Sequence, residues 1–149
     1  MKPIFVEHGA GNKVNVLGNP ITIKIHGRDT GGAFALVECS DPTGGGPPPH
    51  IHHREDETFY VLEGEYEIVC GQEKFTAKQG AAALLPRDVP HTNRNISNAT
   101  SKILVTLTPA GFEQFFEEIG AMSPAEQSEI PRVMGIAQRY GLEFLPPKP

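Results

Sequence analysis

Apolar and polar residues alternate along most of the chain up to about residue 108. Ile21-Thr22-Ile23-Lys24-Ile25 is the cleanest case, with every second side chain apolar. A period of two predicts a strand with one buried and one wet face. Strand-like runs recur at short intervals from Ile4 to Thr108. Residues 34–39 form a more continuously apolar run, and residues 58–62 and 65–70 flank Glu63-Gly64. That pair reads as a tight hairpin, glycine supplying the positive φ. Residues 74–76, 81–85, 91–95 and 102–107 continue the series. Many short strands with no helix between them predict a sandwich or barrel.

After Pro109 the period lengthens. Phe112, Phe115, Phe116 and Ile119 fall at i, i+3, i+4 and i+7, with Glu113, Glu117 and Glu118 mostly opposite. This predicts an amphipathic helix whose aromatic stripe packs on the outside of the barrel. Ser123-Pro124-Ala125-Glu126 reads as an N-cap, a first-turn proline and a capping-box glutamate. Val133, Met134, Ile136, Ala137 and Tyr140 predict a further helical stretch, ended by Gly141, with Pro131 breaking the region in two. Residues 146–149 are expected to fray. The expected organisation is a β-barrel over 1–110 and a helical extension over 111–149 packed on it.

A length of 149 residues allows one domain with a core that needs neither disulfides nor a structural metal. Sixteen glycines and fourteen prolines punctuate the apolar stretches, which favours a turn-rich all-β domain over disorder. The net charge of −5, with thirteen scattered lysines and arginines, argues against a nucleic-acid surface. The longest apolar run, 81–85, is far short of the ~20 residues of a spanning helix, so no membrane partner is expected. No apolar region of about 7–15 residues follows Lys2, so a signal peptide is not expected and the cytoplasm is. In that reducing compartment Cys39 and Cys70, each ending a predicted strand, should be buried free thiols.

Candidate chemistry concentrates after a low-complexity linker, residues 41–49, whose triple proline delivers the chain stiffly into His50. If the segment is extended, His50 and His52 point to one face; Glu57 follows five residues later, and His91 opens a later strand. Such donors suit Zn, Fe, Ni, Cu or Mn and predict a mononuclear metal site. Burying them without a cation would leave polar groups in need of partners. His53 is out of phase and should point away. Phe59 and Val61 should line the pocket with Glu57, and Tyr60 should face the other layer, in the core. Glu55 and Asp56 read as solvated loop charges. Asn95 and Arg87 read equally well as supports behind the ligands or as turn residues.

These residues resemble the two motifs of the cupins. Gly44, His50, His52, Glu57 and Gly64 match every position of the first, and Gly80, Pro86, His91 and Asn95 match the second. Asp88 stands where the family prefers glycine, and aspartate tolerates left-handed turn geometry. The resemblance covers 44–95 by motif and most of 15–108 by strand pattern. It implies an all-β double-stranded β-helix, a jelly-roll barrel with a short C-terminal helical extension. It also implies a metal held by His50, His52, Glu57 and His91, one divalent transition ion among Fe, Mn, Ni, Co and Zn. A small-molecule ligand in the barrel and a homodimer are further implications.

The Pro-Pro-His-Ile-His-His stretch and the tail segments 111–116 and 140–145 are similar to those of quercetin dioxygenase-like cupins. This second resemblance implies a metal-dependent dioxygenase acting on a small enolisable or aromatic hydroxylated compound. Glu57 would be a ligand or the catalytic general base. A non-catalytic small-molecule binding or sensor module and a sugar-type isomerase would use the same four ligands. Phe144 and Leu145 are expected to cover the barrel mouth.

Overall fold

The fold is described from a computed structural model covering residues 1–146; of the residues expected to fray, 146–149, the last three lie outside the described residues. The strands are β1 (Asn12–Val16), β2 (Asn19–Ile25), β3 (Ala35–Asp41), β4 (His50–His52), β5 (Asp56–Glu63), β6 (Glu65–Cys70), β7 (Glu73–Lys78), β8 (Ala82–Leu85), β9 (His91–Asn95), β10 (Ser101–Thr108) and β11 (Leu142–Phe144). All pairings are antiparallel. One sheet runs β1-β2-β3-β10-β5-β8 and the other β11-β4-β9-β6-β7. The two face each other as a sandwich, with short helices α1 (Glu113–Gly120), α2 (Pro124–Gln127) and α3 (Ile130–Arg139) between β10 and β11.

The period-two pattern decides which faces meet. On β2, Ile21 and Ile23 are buried while Thr22 and Lys24 are not. On β10, Ile103, Val105 and Leu107 are buried, and the strand lies between β3 and β5. Its register sets Leu107 opposite Glu57 and Val105 opposite Phe59, which fixes where Glu57 enters the interior. Tyr60 departs from expectation. At 46% exposed it faces outward, as does Leu84, because it alternates with Phe59 and Val61, which are buried.

Two further expectations fail for identifiable reasons. Strands β5 and β6 do not form a hairpin; they belong to different sheets, and Gly64 is the corner between them. Its φ is +81°, and a Cβ placed there would lie 1.9 Å from the Ser101 hydroxyl oxygen. A tight turn and a tight corner both call for glycine, so the local sequence does not separate them. The run at Ile4 is not a strand, and Phe5 is largely exposed; pairing begins at Asn12, in a segment with polar alternate positions.

The tail follows its capping signals. Ser123 Oγ accepts from the Glu126 N–H at 3.2 Å, and the Glu126 carboxylate accepts from the Ser123 N–H at 2.7 Å. Pro131 falls in the first turn of α3, and Gly141 follows its end at φ +72°. Helix α1 is pinned to the end of β2 through Glu113, whose buried carboxylate accepts from the Gly27 and Gly111 N–H groups at 2.8 and 2.6 Å. His26 sits against Glu113 and Glu117. Strand β11 was not foreseen, since three residues are too few to show a period. Cys39 and Cys70 are free, and half-buried rather than fully buried. Among the described residues no helix is long and apolar enough to cross a membrane.

Candidate metal centre

Strand β4 carries His50 and His52 on its inward face, as the alternation predicts. Register pairs His50 with His91 on the neighbouring β9, and β5 supplies Glu57 from the opposite sheet. The four buried side chains each offer a ligand atom, and these atoms lie within 4.8 Å of one another. His91 Nε2 is 2.8 Å from Glu57 Oε2, and His52 Nε2 is 3.5 Å from Glu57 Oε1.

What lies behind the imidazoles matters as much. His50 Nδ1 donates to the Pro48 carbonyl at 2.8 Å and His91 Nδ1 to the Val89 carbonyl at 3.2 Å. His52 Nδ1 faces the Glu55 carboxylate at 3.3 Å. With each Nδ1 turned to an acceptor, Nε2 is the nitrogen that faces the cluster, and it can coordinate a cation once it carries no proton. The donor set therefore fits a divalent transition ion.

The linker is stapled to the same strand. Gly44 N–H donates to the Asn95 carbonyl at 2.8 Å, Asn95 N–H to the Gly45 carbonyl at 2.9 Å, and the Thr92 hydroxyl to the Pro47 carbonyl at 2.6 Å. Gly46 is obligatory here, because a Cβ would meet the Asn93 carbonyl oxygen at 1.9 Å. Asp88 adopts φ +65°, the left-handed turn that its place in the second motif demands.

Burial, and then the positive partners His52 and His91, pull His50 down to about 4. Burial also pulls on His52, but the Glu57 and Glu55 carboxylates outweigh it and leave that imidazole raised. For Glu57, burial favours the neutral acid, yet His52 and the hydrogen bond with His91 hold it down to about 2.

Above the cluster lies a cavity of about 220 Å³ with mostly apolar walls. Phe59 lines it as expected, while Val61 belongs to the deeper core. The aromatic stripe of the tail corrects the expectation of outside packing. Phe112, Phe115 and Phe116 form part of the cavity wall, and Phe112 stands edge-on to His52 with ring centroids 4.4 Å apart. Phe144 also lines the cavity, placed opposite His50 by the β11–β4 pairing; Leu145 is not part of the lining.

Glu55 is a second correction. At 3% exposed it is no solvated loop charge, because the bend between β4 and β5 turns it back under His52. Its only sequence signal was an acid three residues after a ligand. Asp56 is clamped by Arg87 through contacts of 3.0 and 3.1 Å, which gives both a turn-fixing role. His53 points outward, as expected, between Asp88 and Glu143. Asn95 is a turn residue, bonding the 97–101 loop.

The cupin domain family matches residues 37–107, the stretch that contains all four clustered side chains. Residues 37–107 are a cupin domain. The buried His50, His52, Glu57 and His91 cluster is typical of cupin metal sites. The chain is 27% identical to quercetin 2,3-dioxygenase from Bacillus subtilis over 129 residues, 87% of the chain and 37% of that protein. An uncharacterised protein of Methanocaldococcus jannaschii is 35% identical over 75 residues, 50% of this chain and 60% of its own length. The chain thus spans 37% of the first relative and 60% of the second, under two thirds of each. The solved structure of KdgF from Halomonas sp. has a TM-score of 0.67 at 21% identity, covering 76% of this chain and 99% of that one, a likeness of fold.

Proposed function

We propose that this cupin binds one divalent transition metal ion through His50, His52, Glu57 and His91. We further propose a dioxygenase-type oxidoreductase acting on a small enolisable or aromatic hydroxylated compound. The observation that carries the proposal is the convergence of four buried ligand atoms, each imidazole oriented from behind, at one end of an apolar cavity. Similarity to quercetin 2,3-dioxygenase supports the reaction type. When bound, the ion supplies a Lewis acid and template that favour a deprotonated substrate oxygen.

The chain's own groups do the rest. Glu57 is an anion at neutral pH and is placed to receive the substrate hydroxyl proton on a carboxylate oxygen. Its low proton affinity comes from charged His52 and the His91 hydrogen bond, influences that weaken once the imidazoles are neutral donors. Phe59, Phe112 and Phe144 form apolar walls that restrict water around the cluster. A cavity of about 220 Å³ favours a compact substrate.

Elemental analysis of protein purified without metal-affinity resin should find about one transition ion per chain. An oxygen electrode should then register uptake with a flavonol or small diketone. Turnover without oxygen uptake would indicate an isomerase, and binding without turnover a sensor; either outcome overturns the dioxygenase assignment. Glu57→Gln should keep much of the metal and lower turnover about 100-fold or more. Association of two copies belongs to the same proposal, and sedimentation of the purified chain tests it.

A further inference from the structure

The cavity does not end at the clustered imidazoles. The buried residues of β9 are His91, Asn93 and Asn95. They succeed one another on the inner face at a spacing of about 7 Å. Asn95 is fully employed: its Nδ2 donates to the Asp41 and Ala99 carbonyls at 2.9 and 2.7 Å, and its Oδ1 accepts from Ser97 and Ser101. Asn93 differs. It is 6% exposed, it lines the cavity, and its amide makes no hydrogen bond to another described residue.

A primary amide carries two donor hydrogens and an acceptor oxygen, and natural interiors rarely leave these unpaired. Among the described residues no enclosed side-chain polar atom lacks a partner, so the unpaired amide must open onto the cavity. Asp41, at the end of β3, lines the same cavity and is 3% exposed. Its Oδ2 accepts from the Tyr66 hydroxyl at 2.7 Å, which leaves Oδ1 available. Much of the remaining wall is apolar, including Phe59, Ile103 and Val105.

We propose that Asn93 and Asp41 form a recognition subsite for a neutral hydroxyl group of the ligand, on the order of 7 Å from the oxygens that meet the metal. That hydroxyl donates to Asp41 Oδ1 and accepts from Asn93 Nδ2. A carboxylate at the same end would face the Asp41 carboxylate and be excluded. The subsite rests on the metal-site assignment above and extends it. The ligand carries a metal-chelating oxygen pair at one end and a hydroxyl, not an acid, at the other.

The test titrates the full chain, loaded with cobalt(II) and kept free of oxygen, with 3,4-dihydroxybenzyl alcohol, 4-methylcatechol and 3,4-dihydroxybenzoate. All three present the same vicinal oxygens and differ only at the far end. The unaltered protein should bind the alcohol about tenfold or more tighter than either of the others. Asn93→Leu should reduce the preference over 4-methylcatechol to about twofold or less, with cobalt content and 4-methylcatechol affinity nearly unchanged. Asn93→Ala should do the same and serves where the leucine variant does not fold. Asp41→Asn should restore binding of the benzoate.

Equal binding of the alcohol and 4-methylcatechol by the unaltered protein overturns the subsite alone. So does a preference that survives both Asn93 variants, or benzoate exclusion that survives Asp41→Asn. Failure of all three catechols to bind with cobalt in place overturns the chelating ligand, and the subsite with it, while failure of the chain to take up cobalt overturns the metal-site assignment itself.

Discussion

His52 differs from the other two clustered imidazoles in what stands behind it: a carboxylate, Glu55, rather than a backbone carbonyl. A carboxylate orients the ring and raises its basicity toward a cation. Glu55→Ala should therefore weaken metal binding by about 10–100-fold, read by competition against a chelator of known affinity. Glu55→Gln, which keeps an acceptor, should fall between the two. The four clustered residues were legible in the sequence because a period of two puts His50 and His52 on one face whatever the sheet does. Glu55 was not, since Arg54-Glu55-Asp56 looks like any solvated charge run until the bend is known. Asn93 was silent for a similar reason: an asparagine two residues after a histidine has no meaning until the strand is seen to line a cavity.

Among the elements, the corner at Gly64 and the strand β11 carry the most consequence. Gly64→Ala combines a left-handed backbone with a collision against Ser101 and should cost roughly 2–4 kcal/mol in denaturant unfolding. An ordinary hairpin glycine would cost less, so the measurement also distinguishes corner from turn. The strand pattern made the barrel legible from β2 to β10, but it could not say which consecutive strands share a sheet. That choice depends on contacts such as Gly64 with Ser101, distant in sequence. Strand β11 sets Phe144 over His50. Phe144→Ala should weaken binding of a chelating catechol several-fold and leave metal content unchanged; loss of metal instead would make β11 part of the ligand scaffold.

For the molecule as a whole, the interior cluster ties stability to acidity. His50 lies at about 4 when folded against 6.5 when free. Between those values the unfolded chain takes up a proton there and the folded chain does not, so acid favours unfolding through that window. The loss from His50 amounts to about 3 kcal/mol. Glu57, held at about 2 against 4.5, adds stability above 4.5 that is lost as pH falls toward 2. His52 works in the opposite sense, because its raised folded value adds stability below 6.5 that fades as pH rises through it. Metal-free protein should thus melt at falling temperature as pH drops from 6.5 to 4. Metal-loaded protein should fall more steeply, since protons and cation compete for the same Nε2 atoms. Calorimetry of both forms across that range is the check. One more property follows from the order of the second sheet. Strand β11 shields the flank of β4, and the Leu145 and His53 amides extend that seal on either side. Chains cut back before residue 142 would bare unsatisfied peptide groups next to a greasy floor. Such chains should stick together flank to flank and scatter light on concentration, so the few residues that roof the cavity also keep the protein from clumping.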